Sequence, residues 1–440
     1  MRVIENTAPN TPSGAQEESL STPIFDRWIG KRKVPYLGTN SGASPLAFQT
    51  WHHFKEAFPP ELIKQMIDED ADEVKSCLDV FGGSGTTALA SQFLGVASTT
   101  IEVNPFLADV IRAKVATYDA DHLAREFGSI LRRASEIAIE GDDFFAKMPP
   151  TFIEPGIASR WIFDAAVADQ LARLITAIEA IENEMHRRFF RVLVGGILTD
   201  VSNVVINGKG RRYRRNWKDR RRAGSSVLTL FSSRVRSAIA DVHRFGERPA
   251  VCANVLLGDA RKVSPNGTHD LAILSPPYPN SFDYTDIYNL ELWVLGYLSD
   301  SADNRSLRES TLASHVQLHR DFSDPPPGSK TLTKTVQQLS EIREKLWSPW
   351  IPAMVGGYFA DMMEVLDRIK ASLRDGGRSC IVVGDSRYGG VLVPTAKILA
   401  ELGRNAGWEV RSSDPVRAMR SSAQQGGSTD LDETLLILVK

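Results

Sequence analysis

Cysteine is scarce. Cys77, Cys252 and Cys380 are the only three among 440 residues, and none belongs to a C-x-x-C pair, which argues against a disulfide framework and a thiolate metal site. Each stands in or beside an apolar stretch, where a free cysteine behaves as a small buried hydrophobe, and a reducing, cytoplasmic setting is expected. Long apolar runs are missing too: stretches such as Val192 to Leu198 fall far short of the roughly 20 residues of a membrane helix. Residues 1–30 are polar and lack the apolar centre of a secretory signal, so residues 1–35 read as a mobile leader. No ligand pattern surrounds His52 and His53; a surface or capping role is expected for both, and no metal.

What remains is a globular chain. With 42% hydrophobic and 24% charged residues it is neither disordered nor a coiled coil. Its length exceeds what one core usually organises, so it should form one large domain with insertions or two to three units. The formal net charge of −2 says nothing about partners, but its distribution does. Between Arg187 and Arg248 stand 16 basic residues against 4 acids, a net +12. At the centre, Gly208 to Arg222, nine basic residues are interrupted by Tyr213 and Trp217. Guanidinium forks suit phosphate oxygens and aromatic rings can stack on bases, so Lys209, Arg211, Arg212, Tyr213, Arg214, Arg215 and Trp217 are candidate nucleic-acid contacts. A solvated basic loop is the alternative, although such density repels itself unless an anion answers it.

Along the chain, Ser76 to Val80, a Gly82–Gly85 turn and Thr86 to Leu94 read as strand, turn and helix, closed by Gly95 and followed by a strand over Ala97 to Glu102. This is the opening of a doubly wound α/β sheet. Asn254 to Leu257 and Asp270 to Leu274 read as buried strands, Phe359 to Leu373 has helical spacing, and Arg378 to Val383 and Thr434 to Val439 are further strands. Two stretches interrupt the alternation: residues 119–250, mostly helical and holding the basic segment, and the polar residues 297–350, an insertion or mobile loop.

Two motifs carry chemistry. In Asp79-Val80-Phe81-Gly82-Gly83-Ser84-Gly85-Thr86-Thr87 the glycines let a cofactor approach the backbone, and Glu102 at the end of the next strand can accept from ribose hydroxyls. A dinucleotide site or a structural turn would use similar residues. More specific is the strand that delivers Ser275-Pro276-Pro277-Tyr278. Consecutive prolines fix the backbone, so that the Ser275 side chain and the Pro276 carbonyl point outward as acceptors beside an aromatic ring. That arrangement suits gripping the exocyclic NH2 of a nucleobase.

The pair resembles motifs I and IV of the amino-group DNA methyltransferases. Phe54 to Leu62, with Phe58 and Pro59, is similar to their motif X beside the methionine end of the cofactor, and Gly258-Asp259-Ala260 resembles motif III, whose acid contacts the cofactor adenine. Asp283-Tyr284 and Leu290-Glu291-Leu292-Trp293 extend the likeness. The resemblance implies a Rossmann-like, seven-stranded class I methyltransferase sheet, S-adenosylmethionine held by Phe58, Pro59, Asp79, Phe81, Gly82, Gly83, Gly85, Thr86, Glu102 and Asp259, and catalysis by Ser275, Pro276, Pro277 and Tyr278. Ser-Pro-Pro-Tyr, as opposed to Asp-Pro-Pro-Tyr, goes mainly with transfer to N4 of a flipped-out cytosine. N6-adenine methylation, an RNA base amine, or a decayed transferase that only binds DNA are the alternatives.

C5-cytosine transfer needs a Pro-Cys nucleophile, and no cysteine here follows proline. The expected core is residues 36–118, 251–296 and 351–440, with the helical basic insertion 119–250 as target reader and 297–350 as a second, loop-rich insertion. The large basic insertion precedes the motif III candidate, which departs from the family's order, so its assignment to target reading rests on charge. The expected partner is double-stranded DNA, with a companion restriction or defence protein as a further candidate, in a cytoplasmic, nucleoid-associated setting.

Overall fold

A computed structural model describes residues 23–32, 34, 38, 42–54, 57–70, 72–207, 210–419 and 431–440. Residues 1–22 of the expected leader and Lys209 lie outside the described residues, but Pro23–Ile29 is a helix whose buried Trp28 stacks on Phe93 at 4.4 Å, so this part is core and not a mobile leader.

Among the described residues the strands are β1 (Ser76–Asp79), β2 (Ala97–Glu102), β3 (Val204–Asn207), β4 (Gly210–Tyr213), β5 (Ala253–Leu257), β6 (His269–Leu274), β7 (Leu373–Gly384), β8 (Ser386–Tyr388), β9 (Val391–Val393), β10 (Glu409–Met419) and β11 (Leu431–Val439). Seven of them form one sheet in the order β10-β11-β7-β6-β1-β2-β5, while β3-β4 and β8-β9 are separate hairpins. β5, β2, β1, β6 and β7 run parallel, and β11 inserts antiparallel to both its neighbours. The chain crosses from β1 outward to β2 and β5 and then returns to β6 on the other side of β1. Such a switch point opens a crevice beyond the carboxyl ends of the strands, where α/β sheets bind ligands.

Both faces of the sheet are covered, as a parallel sheet requires. The helices Ile351–Ser372 and Thr395–Asn405 pack one face through Phe359, Met362, Leu366 and Leu399. On the other, the helices Thr86–Leu94 and Pro105–Val115 merge with the long helices Ala120–Glu136, Ala165–Glu179, Glu184–Val201 and Ser225–Arg244 in one continuous apolar cluster. Contact is close enough that a Cβ on Gly195 would meet the Phe106 ring at 2.5 Å.

Several local expectations change. β6 is buried, but β5 is the sheet edge, pairs only with β2 and leaves Leu257 49% exposed. Cys252, just before that edge, is exposed, whereas Cys77 and Cys380 lie inside as expected. His52 is not at the surface. It is buried against Glu291, with Nε2 to Oε1 at 3.0 Å, while His53 is exposed. The 297–350 stretch carries two helices, Ser301–Glu309 and Lys330–Glu341, with buried Leu312 and His315 between them.

Candidate active site

The strand ends converge on a cavity of about 320 Å³, within the range of small-molecule sites. At the end of β1, Asp79 closes the glycine turn: its carboxylate accepts from the Phe81 N–H at 2.9 Å and the Thr87 hydroxyl at 2.6 Å. Burial lifts its pKa to about 6 against those two bonds. Gly83 and Gly85 have φ of +52° and +78°, the left-handed region that glycine enters freely. Beneath the turn, the fully buried Lys114 donates to the Ser84 carbonyl at 2.8 Å and to Gln49 at 3.0 Å, and burial lowers its pKa to about 7.

Glu102 ends β2 and is a second acid at the turn. One oxygen accepts from the Gly83 N–H at 2.7 Å and the other from the Asn104 N–H at 2.8 Å. Burial raises its pKa to about 7, and the backbone bonds oppose that rise. Each oxygen retains lone-pair capacity toward the cavity. Asp259, beyond β5, is tied down differently: Arg261 grips it through Nε at 3.0 Å and Nη2 at 2.8 Å, and its Nη1 bridges on to Asp361 at 3.0 Å.

On the other side of the switch point, β6 delivers Ser275, Pro276, Pro277 and Tyr278 to the same cavity. The Tyr278 hydroxyl donates to Glu433 at 2.8 Å. Its pKa stands well above the ordinary phenol range, chiefly through burial and then through the neighbouring Glu433 carboxylate.

Of the residues singled out in the sequence, Phe58, Asp79, Phe81, Gly82, Gly83, Thr86, Glu102, Asp259 and Ser275 to Tyr278 line this one cavity, whereas Pro59 and Gly85 stand just outside it. None of the described basic candidates lines it. Arg211 is paired with Asp286 at 3.1 Å, which sets hairpin β3-β4 against the helix Tyr284–Ile287 at the cavity rim. Arg214 donates to the Thr199 and Ser202 carbonyls at 2.8 and 3.1 Å, and Tyr213 stacks on Trp217 with centroids 4.9 Å apart. Arg212 and Arg215 are exposed.

Sequence reasoning missed several lining residues. Phe54 stacks on Tyr288 at 5.6 Å and covers Gly83, Thr311 and Ser314 come from the second insertion, and Arg417 and Glu433 come from β10 and β11. Phe54 and Tyr284 stood within quoted motifs and could have been singled out as aromatic. Nothing local marks the others. Away from the cavity, the potential ligand atoms of His122, Glu126 and His186 lie within 4.8 Å of one another, with Glu126 already 2.8 Å from His186 Nδ1.

The mostly parallel seven-stranded sheet with reversed β11 and a crevice at its switch point is a Rossmann-like α/β architecture. Residues 5–113 match the DNA methylase family, a span that holds the glycine turn and Glu102 but not Ser275 to Tyr278. Over that span the chain resembles the N6/N4 amino-group DNA methylases. It is 22% identical to the type II methyltransferase M.BsoBI of Geobacillus stearothermophilus over 90% of this chain and 84% of that one. It is 23% identical to M.AvaI of Nostoc sp. over 89% and 83%. Among solved structures, the glycopeptide N-methyltransferase MtfA aligns over 86% of this chain and 92% of its own at a TM-score of 0.26 and 8% identity. The rRNA methyltransferase aviRa of Streptomyces viridochromogenes aligns over 97% and 94% at 0.29 and 9%. No helix among the described residues is long and apolar enough to cross a membrane.

Proposed function

We propose that the protein transfers a methyl group to N4 of cytosine in double-stranded DNA, at a specific sequence and with the target base flipped out of the helix. The observation that carries this reading is that Ser275 and the Pro276–Tyr278 backbone share one cavity with the glycine turn and Glu102. The donor set suits S-adenosylmethionine: Glu102 faces the cavity as an acceptor for ribose hydroxyls, Phe81 and Leu107 offer apolar walls, and Phe58 lies where the methionine end is expected. Bound there, S-adenosylmethionine supplies a methyl group on a positively charged sulfur, already electrophilic without a metal.

The chain's own residues prepare the amine. The Ser275 hydroxyl and the Pro276 carbonyl accept the two N–H bonds and aim the nitrogen lone pair, while Tyr278 packs on the base. No covalent enzyme intermediate is needed, because the amine attacks directly and sheds its extra proton to solvent. In this reading hairpin β3-β4 and its exposed arginines lie along the phosphate backbone beside the cavity mouth, within a target-reading insertion spanning residues 119–250.

Incubation with DNA and methyl donor, followed by mass spectrometry of the nucleosides, tests the assignment. N4-methylcytosine is expected. N6-methyladenine would move the reading to the other amine, and methylated RNA with untouched DNA would discard both.

A further inference from the structure

Independently of that reading, we propose that His122, Glu126 and His186 bind one divalent ion of the zinc class, which clips together two helices of the 119–250 insertion. His122 and Glu126 stand four positions apart on the helix Ala120–Glu136, a spacing that puts both side chains on one helical face. His186 reaches them from the first turn of the helix Glu184–Val201, 60 residues beyond Glu126. One ligand atom from each of the three lies within 4.8 Å of the others. No local pattern announces the set, because its third member comes from another helix.

The distances favour an ion over a simple ion pair. His186 Nδ1 is 2.8 Å from one oxygen of Glu126, but His122 Nε2 stands 3.7 Å from the other, beyond hydrogen-bond reach. An ion between the three would satisfy both imidazoles and both oxygens. Zinc bonds of roughly 2.0–2.2 Å to nitrogen and oxygen place tetrahedral ligand atoms about 3.3–3.6 Å apart, so small side-chain rotations close the site. His122, with its side chain 49% exposed, is free to make them, while His186 is 4% exposed and fixed by its packing. The two rings already meet edge to face with centroids 4.8 Å apart.

The donor set selects the ion. Magnesium and calcium take oxygen ligands and soft ions take thiolate, whereas zinc accepts two imidazoles and a carboxylate and leaves its fourth position to water. His186 needs only to keep its ring proton on Nε2, so that the ion replaces the proton that Nδ1 shares with Glu126. Both histidines lie in the first turns of their helices, whose partial positive charge opposes a cation, so binding should be weaker than at a four-ligand structural site.

Calorimetric titration of the chelator-treated full chain with zinc chloride tests the proposal without calling on activity. One equivalent should bind, magnesium chloride should not compete, and the melting temperature should rise as zinc saturates the site. His122→Asn and Glu126→Gln should each weaken zinc binding at least about tenfold, the loss that even an outer partner of a metal ligand brings. Glu126→Gln can still accept from His186, so neither change leaves that buried ring without a partner. Weakening in only one variant, or in neither, would place the ion elsewhere and overturn the proposal. A parent that binds no zinc overturns it as well, and leaves the proposed function untouched.

Discussion

Glu102 shows how one side chain can couple the backbone to a ligand. Its carboxylate holds the Gly83 and Asn104 N–H groups, yet burial raises its pKa to about 7. Ribose hydroxyls need the ionised form as acceptor. Affinity for S-adenosylmethionine should therefore weaken as pH falls below about 7, by up to about tenfold per unit, and Glu102→Gln should bind weakly with a flat profile. Calorimetric titration on either side of neutrality checks both. For the unliganded chain the sign is reversed: a carboxyl with a raised folded pKa favours folding at low pH, and that contribution disappears as pH rises through about 7. Gly83 gives a second residue-scale expectation. With φ at +52° and the Phe54 ring only 3.0 Å from where a Cβ would stand, Gly83→Val should cost about 1–3 kcal/mol of stability as well as cofactor affinity. A melting temperature equal to the parent's would contradict that.

At the scale of elements, the basic segment that starts in hairpin β3-β4 and runs on to Arg222 divides into residues that fold it and residues it presents. Arg214 is committed to the Thr199 and Ser202 carbonyls and Arg211 to Asp286, whereas Arg212, Arg215 and Arg220 are exposed. If the exposed three contact phosphates, replacing them by alanine should weaken DNA binding and flatten the salt dependence, by at most about 0.9 log units of slope for each contact. Arg214→Ala should instead lower the melting temperature with little change in slope. Binding titrations at several salt concentrations separate the two groups; if the triple variant behaves like the parent at every concentration, the hairpin is a solvated surface and the reader must be sought elsewhere.

At the scale of the whole molecule, the insertion and the sheet share one apolar cluster, in which Trp51 packs on Phe189 with centroids 5.1 Å apart and Phe106 lies under Gly195. A shared core unfolds as a unit. The full chain should melt in one transition by calorimetry and near-ultraviolet dichroism alike, and a chain with residues 119–250 excised should fail to fold. Two well-separated transitions would show instead that the insertion stands on its own.

The sequence by itself determined what depends on contiguous residues. Strand, glycine turn and helix from Ser76 to Leu94, the acid ending the next strand and the Ser-Pro-Pro-Tyr delivery from β6 were legible, because a strand end and its turn are encoded within a few positions. Exposure of Cys252 and half-burial of β5 were not: apolar content marks a strand but cannot say which strand has a neighbour on only one side. His52 misled for a similar reason, since its partner Glu291 is 239 residues away. Only the tertiary structure decided which arginines are free, by supplying carbonyls and carboxylates that absorb some and leave others in solvent. It alone brought Glu433 onto Tyr278 across 155 residues of chain. That contact follows from the register of β11 between β7 and β10, and register is set by how whole faces pack, which no local pattern around Glu433 expresses.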